Sequence, residues 1–244
     1  MFIIRIYNTH QMLYNIIRIL QKYNSITKML NIYYNCVNII DILKITDKIY
    51  NISYRGLAMR VISGTARGTK LNSIDSLDTR PTLDRVKESL FNIIQNKIEN
   101  SIVLDLFAGS GAIGIEFISR GSKKVYFCEK SHNAVKMIYQ NLKKTRFEDK
   151  SEIFEKDYKK CLEELENRNI KFDIIFLDPP YEADLSVKAI EQIISLDLLN
   201  KEGIIIIETD EEERDLKELE RVQVEIYDLR KYGRVHLIFL NRKE

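Results

Sequence analysis

From Met59 onward the sequence predicts an α/β fold, a mostly parallel sheet covered by helices on both faces. Short apolar runs alternate with stretches whose apolar residues recur at helical spacing, the pattern of strand–helix–strand units. One run, ending at Phe107, is followed at once by Gly109, Gly111 and Gly114, glycines placed where a strand turns into a helix. Another run, 174–177, ends in Asp178-Pro179-Pro180-Tyr181, whose prolines cannot continue a central strand. In such sheets ligands bind beyond the carboxyl ends of the strands. That rule directs attention to 105–111, to Glu129 and to 178–181.

The elements follow in order. Residues 60–71 read as a short β-hairpin turning at Gly64 and Gly68. Pro81 and Thr82 open a helix, because proline presets the first turn and threonine can cap it. Val86, Leu90, Ile93 and Ile94 form its buried stripe. Strand 102–107, helix 112–120, strand 124–129, helix 134–144, strand 152–156 and helix 158–168 come next. Strand 172–177, helix 187–196 and strand 203–208 follow, and strands 222–227 and 235–240 close the chain around a turn at Lys231-Tyr232-Gly233.

The 244 residues hold 38 Lys+Arg against 36 Asp+Glu, with 45% hydrophobic and 30% charged residues. These near-average values exclude collagen-like, mucin-like and wholly disordered chains. No run of about 18 apolar residues lacks a charge, so no membrane-spanning helix is expected. Cys36, Cys128 and Cys161 stand isolated from each other, and His10, His132 and His236 are scattered. Neither a disulfide framework nor a metal site is expected, and the compartment is expected to be the reducing cytoplasm.

The average charge conceals a boundary before Met59. Residues 1–58 carry seven Lys/Arg against two Asp, a net +5, which leaves 31 basic against 34 acidic residues, −3, for 59–244. The segment is rich in Ile, Asn and Tyr, with one glycine and no proline. As a targeting segment it lacks an apolar core with a small-residue cleavage site. As a basic helical extension it has Leu13, Ile16, Leu20 and Tyr23 at helical spacing. The reading favoured is translated upstream sequence before a start at Met59.

The loop Asp105-Leu-Phe-Ala-Gly109-Ser-Gly111-Ala-Ile-Gly114 contains G-x-G-x-x-G, a pattern that also marks dinucleotide sites. Asp105 at its entrance would repel a pyrophosphate and attract a cation. That favours S-adenosylmethionine, which carries a sulfonium and an ammonium and no phosphate. Phe107, Ala108, Gly109, Ser110 and Gly111 would line this cofactor. Glu129, ending the next strand, is placed to accept from both ribose hydroxyls, and Asp157, after the third strand, from the adenine amino group. Asp178 and the carbonyl of Pro179 make a pair of acceptors that suits an exocyclic amine with its two hydrogens. Pro180 stiffens the turn, and Tyr181 can stack on the base carrying that amine.

Segment 105–114 together with 178–181 resembles the amino-methylating class I methyltransferases. The chain resembles more narrowly the RsmD-type 16S rRNA (guanine-N2) methyltransferases. Three blocks carry the resemblance: Met59-Arg-Val-Ile-Ser-Gly-Thr-Ala-Arg-Gly-Thr-Lys-Leu71, Arg80-Pro-Thr-Leu-Asp-Arg-Val-Lys-Glu-Ser-Leu-Phe91 and Leu104-Asp-Leu-Phe-Ala-Gly-Ser-Gly-Ala-Ile-Gly114. It runs from Met59 to near the C-terminus and leaves 1–58 outside. It implies a Rossmann-like sheet of seven strands with an antiparallel last hairpin. It also implies S-adenosyl-L-methionine as donor and one guanine of the 16S rRNA, within the small ribosomal subunit, as acceptor. By the same resemblance Asp105, the 108–111 loop and Glu129 match cofactor positions, and 178–181 match the catalytic motif.

The expected organisation is therefore an extension 1–58, an RNA-docking hairpin and helix 59–98, and a catalytic domain 99–244, acting as a monomer. Arg60, Arg67 and Lys70, then Arg80, Arg85 and Lys87, would contact RNA phosphates. Arg85 and Glu88 lie one helical turn apart and could instead pair with each other. A DNA adenine-N6 methyltransferase would use the same tetrapeptide but usually needs a target-recognition domain, for which the chain after Met59 has no room. An RNA-binding module that retains a cofactor pocket is at odds with the intact 178–181.

Overall fold

The computed structural model describes residues 59–73, 81–179 and 185–243. The extension 1–58, Arg80, Pro180 and Tyr181 lie outside the described residues. Helix α1 (Pro81–Ile93) and the short α2 (Gln95–Ile98) precede β1 (Ile102–Leu106), α3 (Ala112–Ser119), β2 (Lys124–Glu129) and α4 (His132–Thr145). Then come β3 (Ser151–Glu155), α5 (Tyr158–Asn167), β4 (Phe172–Leu177), α6 (Leu185–Ser195), β5 (Leu199–Thr209), α7 (Glu212–Leu219), β6 (Val224–Tyr232) and β7 (Val235–Arg242). The strands form one seven-stranded sheet in the order β3-β2-β1-β4-β5-β7-β6. Neighbours from β3 to β5 are parallel, and β7 runs antiparallel to both β5 and β6. The chain order reverses between β1 and β4, so the crevice beyond their carboxyl ends is where ligands are expected.

Alternation along the strands assigns the two faces. Val103, Val125, Phe127, Ile174, Phe176, Ile204 and Ile206 pack with α1, α3 and α4. Leu104, Leu106, Ile175, Leu177, Ile205 and Ile207 pack with α5, α6 and α7. Each fully buried Leu, Ile or Phe contributes about 1.5–3 kcal/mol. The stripe of α1 is Val86, Leu90 and Phe91, continued by Ile94, whereas Ile93 is only half-buried.

Several expectations are corrected. Residues 60–71 make only one antiparallel bridge, Arg60 to Lys70, around the turns at Gly64 and Gly68. β5 begins four residues early, through a register shift that the polar stretch 200–202 concealed. Charge-rich α7 has few apolar residues to betray it. β6 is an edge strand whose residues 225–227 and 229–231 are exposed, which erases the alternation that would mark a half-buried strand. Lys231 and Tyr232 belong to that strand, and the turn falls on Gly233 and Arg234. The Tyr232 hydroxyl meets that of Ser89 on α1. Cys128 and Cys161 are not isolated: they are buried thiol neighbours, and their hydrogen bond, then burial, drives the Cys128 thiol far above its usual range.

The segment 59–73 is pinned to α3 by a buried acid. Glu116 is fully buried and accepts from the backbone N–H groups of Ile62 (2.8 Å) and Ser63 (2.9 Å) and from Arg120 Nε (2.8 Å). Lys87 Nζ lies 3.3 Å from the same carboxylate and donates to the Arg60 carbonyl at 2.7 Å. Gly64 crosses α3 so closely that an added Cβ would sit 1.8 Å from the Ser119 carbonyl oxygen. Asn141 closes the other end, accepting from the Asn72 N–H and donating to the Asn72 and Ser110 carbonyls.

Candidate active site

Four parallel strands end in acids on one face of the sheet. Glu129 follows Phe127 by two residues, Asp178 follows Phe176 and Glu208 follows Ile206, so all three share the α1–α3 face. Asp105 lies one pleat deeper, opposite Phe127 and Phe176.

On the β1–β2 side each acid holds protein backbone. Asp105 is buried and its Oδ2 accepts from the Gly114 N–H at 2.9 Å. Burial, opposed by that bond and aided by the charges of Asp178 and Glu129, raises its pKa to about 7. Glu129 Oε2 accepts from Gly109 N–H at 2.9 Å and Oε1 from Ser131 N–H at 2.8 Å. Phe107 takes a positive φ of 76°, a strained conformation for a non-glycine residue, held by the Phe107 and Ala108 N–H groups donating to the Cys128 carbonyl. Gly111 caps α3 with φ 77°, and a Cβ on Gly114 would lie 2.2 Å from the Phe127 ring. Gly109, by contrast, has nothing within 4 Å of where a Cβ would be, which leaves its face to a ligand. Asp157, expected beside adenine, caps α5 through the Lys159 N–H at 3.0 Å while still facing the crevice.

On the β4–β5 side the acids are open. Among the described residues neither Asp178 nor Glu208 has a hydrogen bond or ion pair. Asp178 is exposed at the crevice, yet the protein atoms packed behind its carboxyl and the charge of Asp210 push its pKa up to about 6. Its exposure tempers that shift without changing its direction. Half-buried Glu208 is raised to about 8, first by burial and then by the charge of Asp178.

Two cavities meet at this row. The larger, about 720 Å³, is lined by Phe107, Gly109, Glu129, Asp157, Asp178 and Pro179, with Lys130, Lys156, Lys159 and Lys188 exposed around them. The smaller, about 200 Å³, is lined by Asp105, Ala108, Ser110, Phe176, Glu208 and Lys87 and shares Phe107, Gly109 and Asp178 with the first. The site thus gathers Asp105, Phe107–Ser110, Glu129, Asp157, Asp178 and Pro179. Arg60, Arg67, Lys70 and Arg85 stand exposed outside it, and no Arg85–Glu88 ion pair forms. Sequence reasoning missed Glu116 and Glu208, and it set Lys87 among the phosphate-contacting residues, whereas Lys87 is buried against Glu116. For Glu208 the signal was available, an acid closing the apolar run 204–207 just as Asp178 closes 174–177.

Residues 59–241 match the family described as Conserved hypothetical protein 95. The chain belongs to this family of RsmD-type methyltransferases. It is 36% identical over 155 residues to Ribosomal RNA small subunit methyltransferase D of Haemophilus influenzae, which covers 63% of this chain and 80% of that one. To the Escherichia coli protein of the same name it is 31% identical over 154 residues, 63% and 76% of the two chains. Among solved structures, a candidate methyltransferase of Escherichia coli, yhhF, superposes with a TM-score of 0.64 at 27% identity, covering 76% of this chain and 98% of that one. SMU.776, a candidate methyltransferase solved with SAH, shares the fold at a TM-score of 0.52 and 15% identity, over 61% and 48% of the chains. The α/β class I methyltransferase architecture expected from the sequence is what this RsmD-type chain adopts.

Proposed function

We propose that this chain transfers a methyl group from S-adenosyl-L-methionine to the exocyclic N2 of a guanine in 16S rRNA, acting in the cytoplasm on the small ribosomal subunit as a monomer. The observation that carries the proposal is Asp178, a carboxylate common to both cavities and without a hydrogen bond or ion pair among the described residues. The cofactor fits the larger one. Its acids suit a ligand with two positive charges and hydroxyl donors, the open face of Gly109 leaves room beside the loop, and the volume suits a molecule of that size. Glu129 keeps lone pairs for a ribose although both its oxygens already accept from backbone. Bound there, the cofactor supplies an electrophilic methyl on its sulfonium.

The guanine 2-amino lone pair is delocalised into the ring, so the amine is a poor nucleophile. The Asp178 carboxylate and the Pro179 carbonyl accept its two hydrogens and favour a pyramidal nitrogen with a localised pair. A nitrogen–carbon bond then forms as the sulfur–carbon bond breaks, and the amine releases one proton. Holding the two reactants in line supplies about 7–11 kcal/mol relative to a bimolecular encounter. Pro180 and Tyr181, for which the same roles are proposed as from the sequence, complete the turn and the stacking face. Arg60, Arg67 and Lys70 of the pinned segment and Arg85 of α1 contact RNA phosphates, and the same role is proposed for Arg80 from the sequence.

Isotope-labelled cofactor offered with small subunits, free 16S rRNA and DNA tests the reading. Label is expected on guanine N2 in subunits, lost in Asp178→Ala. Label on adenine N6 of DNA, or an Asp178→Ala variant with near-full transfer, would overturn it.

A further inference from the structure

The row of acids does not stop at Asp178. Leu177 pairs with Ile207, so Asp178 and Glu208 leave neighbouring parallel strands at the same level and on the same face, roughly 4.8 Å apart along the sheet. Glu208 lies on the side of Asp178 away from Glu129 and the larger cavity, and it lines the smaller cavity with Lys87, Phe176 and Met59. It is half-buried and, among the described residues, has neither hydrogen bond nor ion pair, so its carboxyl is open to a ligand entering the smaller cavity. We propose that Glu208 is a specificity-determining residue that reads the base edge beside the reacting amine, its carboxyl pairing with guanine N1–H and O6. The inference rests on the function proposed above.

The chemistry of the match is bidentate. With N2 held by Asp178 and Pro179, the next groups along the guanine edge are a donor, N1–H, and an acceptor, O6. A neutral carboxyl group presents the complement, a carbonyl oxygen that accepts from N1–H and a hydroxyl that donates to O6. The raised pKa of Glu208 keeps that acid form populated at neutral pH. The ionisable groups facing the cavity with it are Asp178 from β4, Asp105 from β1 and Lys87 from α1, with Asp210 beyond its own strand.

The test uses the full chain and small subunits reconstituted with guanine or 2-aminopurine at the methylated position. 2-Aminopurine keeps the 2-amine and lacks both N1–H and O6. Wild type is expected to favour guanine in kcat/KM by about 5- to 150-fold, the worth of one bidentate base contact. Glu208→Leu should bring the ratio near one, with cofactor affinity unchanged by calorimetry. Glu208→Gln should keep the ratio, because an amide offers the same acceptor and donor. A Glu208→Leu variant with the wild-type ratio overturns the inference, as does a Glu208→Gln variant that falls as far as Glu208→Leu. Loss of cofactor affinity in Glu208→Leu with the ratio intact also overturns it and reassigns Glu208 to the cofactor. If wild type gives no guanine-N2 product, the function proposed above fails and takes this inference with it.

Discussion

The ends of β1 and β2 differ from the ends of β4 and β5 in what their acids hold. Asp105 and Glu129 are engaged by N–H groups of their own loops, whereas Asp178 and Glu208 have no hydrogen bond or ion pair among the described residues. The first pair builds a cavity whose shape is set before any ligand arrives. The second pair keeps its acceptors for donors that come from outside.

The largest expected effect falls on the open side. Asp178→Ala should lower kcat/KM by about 10²–10³-fold, the scale of losing one preorganised polar contact to the reacting group. Its chemical denaturation should stay within about 0.5 kcal/mol of wild type. A variant that unfolds instead would erase the distinction between the two sides. Glu129→Ala should do the reverse before cofactor enters at all. It takes the acceptor from the part-buried Gly109 N–H and leaves the exposed Ser131 N–H to water, and denaturation of the cofactor-free protein should show a loss of about 1 kcal/mol.

Acidity sharpens the contrast. With Asp178 titrating near 6, single-turnover methyl transfer should fall as pH drops through about 6, because the protonated acid accepts poorly. Stability follows the opposite course. Asp105 and Glu208 have folded pKa values near 7 and 8, above their unfolded values, so the folded state holds protons that the unfolded chain has released. Cofactor-free stability should decline as pH rises from about 4 towards 8, and Glu208→Gln should flatten the upper part of that decline in thermal melts at stepped pH. The smallest effect belongs to the surface. Joint reversal of Arg60 and Arg67 to Glu should weaken RNA binding and leave cofactor titrations unchanged. The salt slope of RNA binding should shrink by about 0.7 for each single-stranded phosphate that is no longer neutralised.

Much of this was legible in the chain. β2 and β4 were bounded correctly because clean apolar runs met charged or proline ends, and the glycine loop announced a strand-to-helix turn. The positions of Asp105, Glu129 and Asp178 at the carboxyl ends of parallel strands followed from topology alone. What escaped was pairing. Glu116 lies in a helix where a charge reads as solvated, and only the approach of 59–73 explains its burial. Glu129 and Asp157 looked free for a ligand because nothing in the sequence says that Gly109, Ser131 and Lys159 present their N–H groups to them. Cys128 and Cys161 are brought together by the crossover from β2 to α5, a proximity invisible to spacing.

The Glu116 anchor has a consequence for how far this protein can adapt to its target. Freeing residues 59–73 would take two backbone N–H donors from a buried carboxylate that Arg120 and Lys87 still face, at a cost of about 1–3 kcal/mol, so this segment and the crevice keep a constant separation. On the proposed function the protein acts as a gauge of fixed span, and bending to meet both ends of it would fall to the nucleic acid.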